Sequence, residues 1–316
     1  MARFAVEDPV INYHMNCFNA IGRLSNEGEG MFDERGIEDF ADTLITDLFY
    51  VEDESEPIRG IEKEGVLIFN IWMEIYHNLY SAVRSCQSRS DDSETRKNSM
   101  LYHLDKAMAL WIGRFQSHGD NNKGTMFYNL VERIAIHFNQ DHGEAFTNSQ
   151  FLQLMKNMRQ TVSDGKCDHG GFDEGNIGYH EMYTLFQKLV STMNVPLVQS
   201  LMHSIAIGSN KKLIELYLIA IMPQLRACNL DYFDYLLRYI EMLSTGEYGS
   251  GDLVDLVLQV QRMYSCLGVS CSAIGIHSTG LYCDDDDISS QTSFAGYKPE
   301  YDVGHVSCDV FLQKWR

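Results

Sequence analysis

Residues 61–86, IEKEGVLIFNIWMEIYHNLYSAVRSC, constrain this chain more than any other stretch. They contain no proline, and a helix of about 25 residues at ~1.5 Å per residue is long for a globular protein. The apolar residues do not keep to one stripe. Val66, Phe69, Met73, Tyr76 and Tyr80 form one face, while Leu67, Ile68, Ile71, Trp72, Ile75 and Leu79 cover most of the rest. A helix that is apolar nearly all round is buried among other helices. Asn70, Glu74, His77 and Asn78 in its middle argue against a bilayer span, so no transmembrane segment is expected here. The stretch reads as the central helix of a bundle.

The same stretch carries a metal-like spacing. Glu74 and His77 stand as Glu-x-x-His, so both project from neighbouring positions on one face. Di-iron carboxylate bundles use that spacing twice, with further glutamates on facing helices. No second Glu-x-x-His occurs in the chain. Candidate ligands are therefore Glu74 and His77, with His103, Asp105, His137 and His180 as donors from elsewhere. The competing reading is a buried glutamate and histidine satisfied by hydrogen bonds to their neighbours.

Charge and cysteines bound the partners and the compartment. A net charge of −19 over 316 residues disfavours nucleic acid, which needs a basic patch. A metal ion or another protein fits better. There are eight cysteines and no Cys-x-x-Cys, so a zinc knuckle is not indicated. An even count, with half of it after Ser265, points to disulfides and an oxidising compartment. The alternative is buried free thiols in a cytoplasmic protein. Cys266 and Cys271 are expected to bridge each other, because Gly268 between them lets the chain turn sharply. The first residues, MARFAVEDPVINYHMNCF, lack an apolar leader core, so the chain is either cytoplasmic or begins after a removed leader.

Taken in order, the chain predicts one helix after another. Periodicity places helices over 11–24 and 33–50, then the central helix. A helix capped by Ser99 follows through Phe115, then one over 125–138 and one capped by Thr147. Residues 163–183 align with a calcium loop when Gly175 and Glu181 take the sixth and twelfth positions. Gly170 and Phe172 then occupy ligand positions, so the pattern is degenerate. Residues 177–193 read as a helix, and Pro196 as the first turn of a separate one. Pro223 is expected to kink or shorten the helix that carries it. Residues 197–265 read as stacked helix pairs. The expected fold class is all-α: an irregular multi-helix bundle with stacked helix pairs and a loop-rich, cysteine-containing C-terminal tail. Residues 1–267 form the helical domain. Residues 268–316 form an irregular acidic segment, and their aspartate run at 284–287 reads as solvated charge.

Several phrases, in order, carry a resemblance: HLDKAMALWIGRFQ, GTMFYNLVERIAIHF, MNVPLVQSLMHSIA, KLIELYLIAIMPQL, MYSCLGVSC and FAGYKPEYDV. Together they resemble secreted helical proteins of marine algae, akin to the low-iron-inducible periplasmic proteins. The resemblance spans roughly residues 35–310 and rests on packing residues and turns, with no ligand motif to carry over. It implies an extracytoplasmic, disulfide-containing helical domain linked to iron uptake, with the segment 268–316 as the start of an incomplete second module.

The functional expectation is a non-enzymatic extracytoplasmic helical binding protein associated with a metal, iron first. The alternative is a helical protein–protein interaction scaffold, which a cytoplasmic location would favour. No Gly-rich phosphate loop, Gly-x-Ser-x-Gly elbow or His-Glu-x-x-His supports an enzyme, although a helical carboxylate–histidine metalloenzyme would need none of these.

Overall fold

The computed structural model describes residues 59–87, 92–117, 123–140, 143–168, 177–208 and 211–279. The helices expected over 11–24 and 33–50, the centre of the calcium-like loop and the aspartate run lie outside these residues. The described part is all-α, an irregular multi-helix bundle without a β-strand among the described residues.

The central helix is real and is built in three consecutive pieces. α1 (Arg59–Val66) leads into a π-helical stretch, Leu67–Trp72, and this continues as α2 (Met73–Gln87). The wider π turn sets Leu67, Ile68, Phe69 and Trp72 all into the core, which an α-helical stripe would not do for three consecutive residues. Below it Ile75, Leu79, Ala82, Val83 and Cys86 are sealed from solvent.

α2 packs most extensively against α3 (Ser93–Ile112). α3 begins earlier than the expected Ser99 cap. Asp92 accepts the backbone N–H groups of Glu94 and Thr95, so the polar run after it starts the helix with an exposed Ser93–Thr95 rather than forming a linker. α4 (Phe127–Ala135) ends in a 3-10 turn, Ile136–Phe138. α5 (Phe146–Ser163) starts from Ala145 without a side-chain cap, and Thr147 is buried instead of capping. The Ala145 N–H is satisfied by the Glu132 carboxylate from α4.

α6 (Ile177–Ala206) corrects the reading of two helices broken before Pro196. It is one helix of 30 residues with Pro196 inside it. Every residue from Thr192 to Ile205 except His203 is buried, so packing on all sides holds the helix through the missing proline hydrogen bond. Proline at a helix start is only a local preference, and burial overrides it. α7 (Lys211–Cys228) likewise runs on beyond Pro223 to Cys228. α8 (Leu230–Thr245), α9 (Ser250–Arg262) and the single turns α10 (Tyr264–Leu267) and α11 (Cys271–Ile274) complete the described chain. α6 packs on α5 and α7, and α7 on α8, so neighbours in sequence are neighbours in space.

Two features tie the layers together. A disulfide joins Cys86 at the end of α2 to Cys167 in the turn after α5, with Cα atoms 4.9 Å apart. Asn194 and Gln224 exchange side-chain hydrogen bonds between α6 and α7, and Asn194 also donates to the Leu267 carbonyl at 2.8 Å. No helix among the described residues is long and apolar enough to cross a membrane.

Candidate functional site

One cleft in the bundle gathers polar side chains from four neighbouring elements. It has a volume of about 230 Å³ and lies where α1, α4 with its 3-10 turn, α6 and α7 meet. Helical spacing brings its groups to one place. Arg133 and His137 are one turn apart, as are Ser200 and Ser204 around His203, and Leu213 and Tyr217 on α7. Glu64 closes it from α1, and Leu130, Ile134 and Ile207 add apolar wall.

At one end a carboxylate is held in place. The buried Tyr217 hydroxyl donates to Glu64 Oε2, and Arg133 Nη2 stands 3.6 Å from Glu64 Oε1. Burial, and then the Glu64 charge, push the Tyr217 phenol well above its ordinary range, so it remains a donor. The Arg133 side chain is 44 % exposed and its ion pair is loose. The guanidinium therefore keeps donor capacity for a further acceptor.

At the other end three imidazoles meet. His137 stacks on His203 with ring centroids 4.0 Å apart, and His203 Nδ1 lies 3.0 Å from Nε2 of His277, which follows α11. Burial, and then the neighbouring imidazoles His137 and His277, lower the His203 pKa to about 4. His277 is lowered by burial and then by His137. Both rings are therefore neutral at pH 7, with one donor and one acceptor nitrogen each.

The six residues singled out from the sequence as ligands do not converge on one point, although Glu74 and His103 share Asn78 as a partner. Glu74 accepts Lys106 Nζ at 2.6 Å and Asn78 Nδ2 at 3.0 Å. His103 Nδ1 meets Asn78 Oδ1 at 3.1 Å, so Asn78 bridges Glu74 and His103 between α2 and α3. His77 is buried one turn from Ser81, its Nε2 3.4 Å from that hydroxyl. Asp105 pairs with Arg159 of α5. His180 is exposed on the first turns of α6, its ring edge-on to Tyr179. His137 alone lies in the cleft. Among the described residues no three of His, Cys, Asp or Glu gather where they could hold a metal ion. Glu181, the last position of the calcium-like loop, is engaged by Lys166 and Thr161.

Cys266 and Cys271 are both disulfide-bonded, and no described cysteine is free. The Cys86–Cys167 bridge was not foreseen, because nothing local relates cysteines 81 positions apart. The cleft residues Glu64, Arg133, His203 and Tyr217 were also missed. The usable signal was a polar residue recurring one turn apart on otherwise apolar helices, as in Arg133–His137 and Ser200–Ser204. Compared with known proteins, the chain matches no family model, no curated protein and no solved structure.

Proposed function

We propose that this chain is a non-enzymatic, extracytoplasmic helical binding protein that holds a small organic molecule with an acidic group in the cleft. The observation that carries the reading is Arg133: a guanidinium at the mouth of a concave site, only loosely paired with Glu64, above neutral imidazole and hydroxyl groups. The volume, below that of a typical drug-sized pocket of about 300 Å³ or more, suits a small ligand. The Cys86–Cys167 bridge supports an oxidising compartment, since such links form and persist outside the reducing cytoplasm.

Calorimetric titration with a panel of small mono- and dicarboxylates tests the proposal. Saturable binding that Arg133→Ala removes supports it, and no binding at millimolar concentration across the panel refutes it. Association with iron draws on the resemblance, and iron would need donors beyond those that gather among the described residues. Metal analysis of protein purified without chelator reads this directly. Iron near one atom per chain would replace the organic ligand with a metal.

The scaffold alternative has its own observation. Val254 and Leu258, one turn apart on α9, are 59 % and 49 % exposed. If they form a docking face, Val254→Asp combined with Leu258→Asp abolishes capture of a partner and leaves the carboxylate titration unchanged.

A further inference from the structure

The segment after α11 is held in an unusual way. Of residues 275–279, His277 alone is buried, and Ile276 is 57 % exposed. Apolar burial therefore does little to keep this segment in place. It nevertheless lies close against the bundle. Gly275 has φ +84°, and a Cβ there would stand 2.5 Å from the Phe138 carbonyl oxygen. The Ser278 N–H donates to the His137 carbonyl at 2.8 Å, and the His277 imidazole reaches His203.

The hydrogen-bond pattern around those rings favours one neutral arrangement. The Thr279 N–H points at His277 Nδ1 at 3.2 Å, so that nitrogen carries its lone pair. The Thr279 hydroxyl lies 2.7 Å from the same atom. The proton of neutral His277 is then on Nε2, which donates to His203 Nδ1 at 3.0 Å. His203 in turn carries its own proton on Nε2. In that arrangement, adding a proton to His203 would fill Nδ1 and set two N–H groups head to head. Adding one to His277 would fill Nδ1, which costs the Thr279 N–H its acceptor and turns the Thr279 hydroxyl into the acceptor. One added proton is accommodated by a change of tautomer, with His277 Nδ1–H donating to the Thr279 hydroxyl and His203 Nδ1–H to His277 Nε2. A second sets two N–H groups of two cations head to head at 3.0 Å.

The surroundings offer the second proton no free anion among the described residues. His137 is stacked on His203 and Arg133 lies one turn before it, with Lys63 beyond Arg133. Glu64 is the carboxylate across the cleft, and it is already engaged by Tyr217 and Arg133. The facing groups from the 3-10 turn, α4, α1 and α7 are thus mostly neutral or positive.

We propose that the His137–His203–His277 cluster is an acid-sensitive latch that holds residues 275–279 on the bundle at neutral pH and releases them on acidification. The lowered pKa values of His203 and His277 agree with it. A histidine with a depressed bound-state pKa favours the bound state above its free value of ~6.5 and loses that preference as pH falls below it. For His203 the loss accumulates down to about 4. α11 stays, because buried Cys271 and Ile274 and two amide ties hold it, Gln199 to the Ile274 carbonyl at 2.8 Å and Gln140 to the Ser272 carbonyl at 3.1 Å. Without the imidazole contact, 275–279 keeps, beyond its junction with α11, only the Ser278 N–H on the His137 carbonyl and a 3.5 Å contact of Asn139 Nδ2 with the Ile276 carbonyl. Since His203 lines the cleft and His277 backs it, release also loosens one wall of the binding site.

Hydrogen exchange on the full chain, corrected for the intrinsic pH dependence, tests the latch independently of any ligand. Amides of 275–279 should exchange roughly tenfold faster or more at pH 4.5 than at pH 7, while α2 and α3 stay protected. The double variant His203→Asn with His277→Gln keeps a donor–acceptor pair that cannot ionise, and its segment should remain protected at pH 4.5. Unchanged protection in the native chain, or the same midpoint in the double variant, overturns the proposal. If the double variant fails to hold the segment even at pH 7, imidazole carbon shifts in the native chain decide. Titration of His203 well below ~6.5, with His277 also lowered, supports the latch, and titration of both at that value overturns it.

Discussion

The Asn148 side-chain amide donates to the Glu132 carboxylate at 2.7 Å, and neither residue is exposed to solvent. The pair is the centre of a closed network. Asn148 Nδ2 also donates to the Tyr128 carbonyl, Asn148 Oδ1 accepts Trp111 Nε1–H, and Glu132 accepts the Ala145 N–H. One amide thereby links α3, α4 and α5. Trp111 is itself stacked on Phe151 at 4.0 Å.

Asn148→Ala should therefore destabilise the fold by about 3 kcal/mol. It leaves the Trp111 N–H without its acceptor and takes a donor from a buried carboxylate. Asn148→Asp should cost more, because it sets a second carboxylate against Glu132 in a low-dielectric site. Urea unfolding with unchanged m-value measures both. A loss below ~1 kcal/mol for Asn148→Ala would show that water replaces the network.

The Cys86–Cys167 bridge closes a long loop across α3, α4 and α5. On the chain-entropy account, removing it should cost about 2–5 kcal/mol. Cys86→Ala with Cys167→Ala should lower stability by that amount, and a non-reducing peptide map of the native chain should return the two peptides joined. The same map identifies the partner of each of Cys266 and Cys271, and so tests the bridge expected between them.

How far the fold was readable follows from which forces are local. Ile75, Leu79 and Val83 recur at helical spacing and are sealed in the core, so periodicity found the central helix. The break expected before Pro196 failed because tertiary burial on every side outweighed the local preference. The start of α3 was missed because an Asp92 cap with an exposed first turn resembles a polar linker. The cleft was hardly legible. Glu64, His137, His203 and Tyr217 are scattered over most of the described chain, and each alone reads as an ordinary polar residue. Glu74 and His77 drew attention by spacing, but what surrounds them is Lys106, Asn78 and Ser81, which spacing cannot reveal.

Two glycines separate close packing from open space. Gly178, on the first turn of α6, would place a Cβ 2.1 Å from the Lys166 carbonyl oxygen, in the turn that carries Cys167. Gly178→Ala should cost about 1–3 kcal/mol through forced backbone movement. Gly251, on the first turn of α9, has nothing within 4 Å of that position. Gly251→Ala should stabilise by about 0.5 kcal/mol through reduced freedom of the unfolded chain. Thermal unfolding of the two variants should move in opposite directions, and a shift of the same sign in both would contradict the close approach at Gly178.

Tyr217 offers a test at the alkaline end. Its phenol is buried and raised well above the ordinary value, first by burial and then by the Glu64 charge. An acid whose folded-state pKa is raised keeps its contribution below the unfolded pKa of ~10 and loses it as pH rises beyond that. At pH 7, Tyr217→Phe should cost about 1–2 kcal/mol, because Glu64 loses its buried donor and keeps only the 3.6 Å contact with Arg133. Between pH 10 and pH 11 the native chain should lose stability more steeply than the variant, since the variant has one fewer phenol to ionise on unfolding. Urea midpoints at pH 7, 9, 10 and 11 compare the two slopes. Parallel curves would mean that Tyr217 ionises in the folded state as it does in the unfolded chain, and that the Glu64 carboxylate is not held by it.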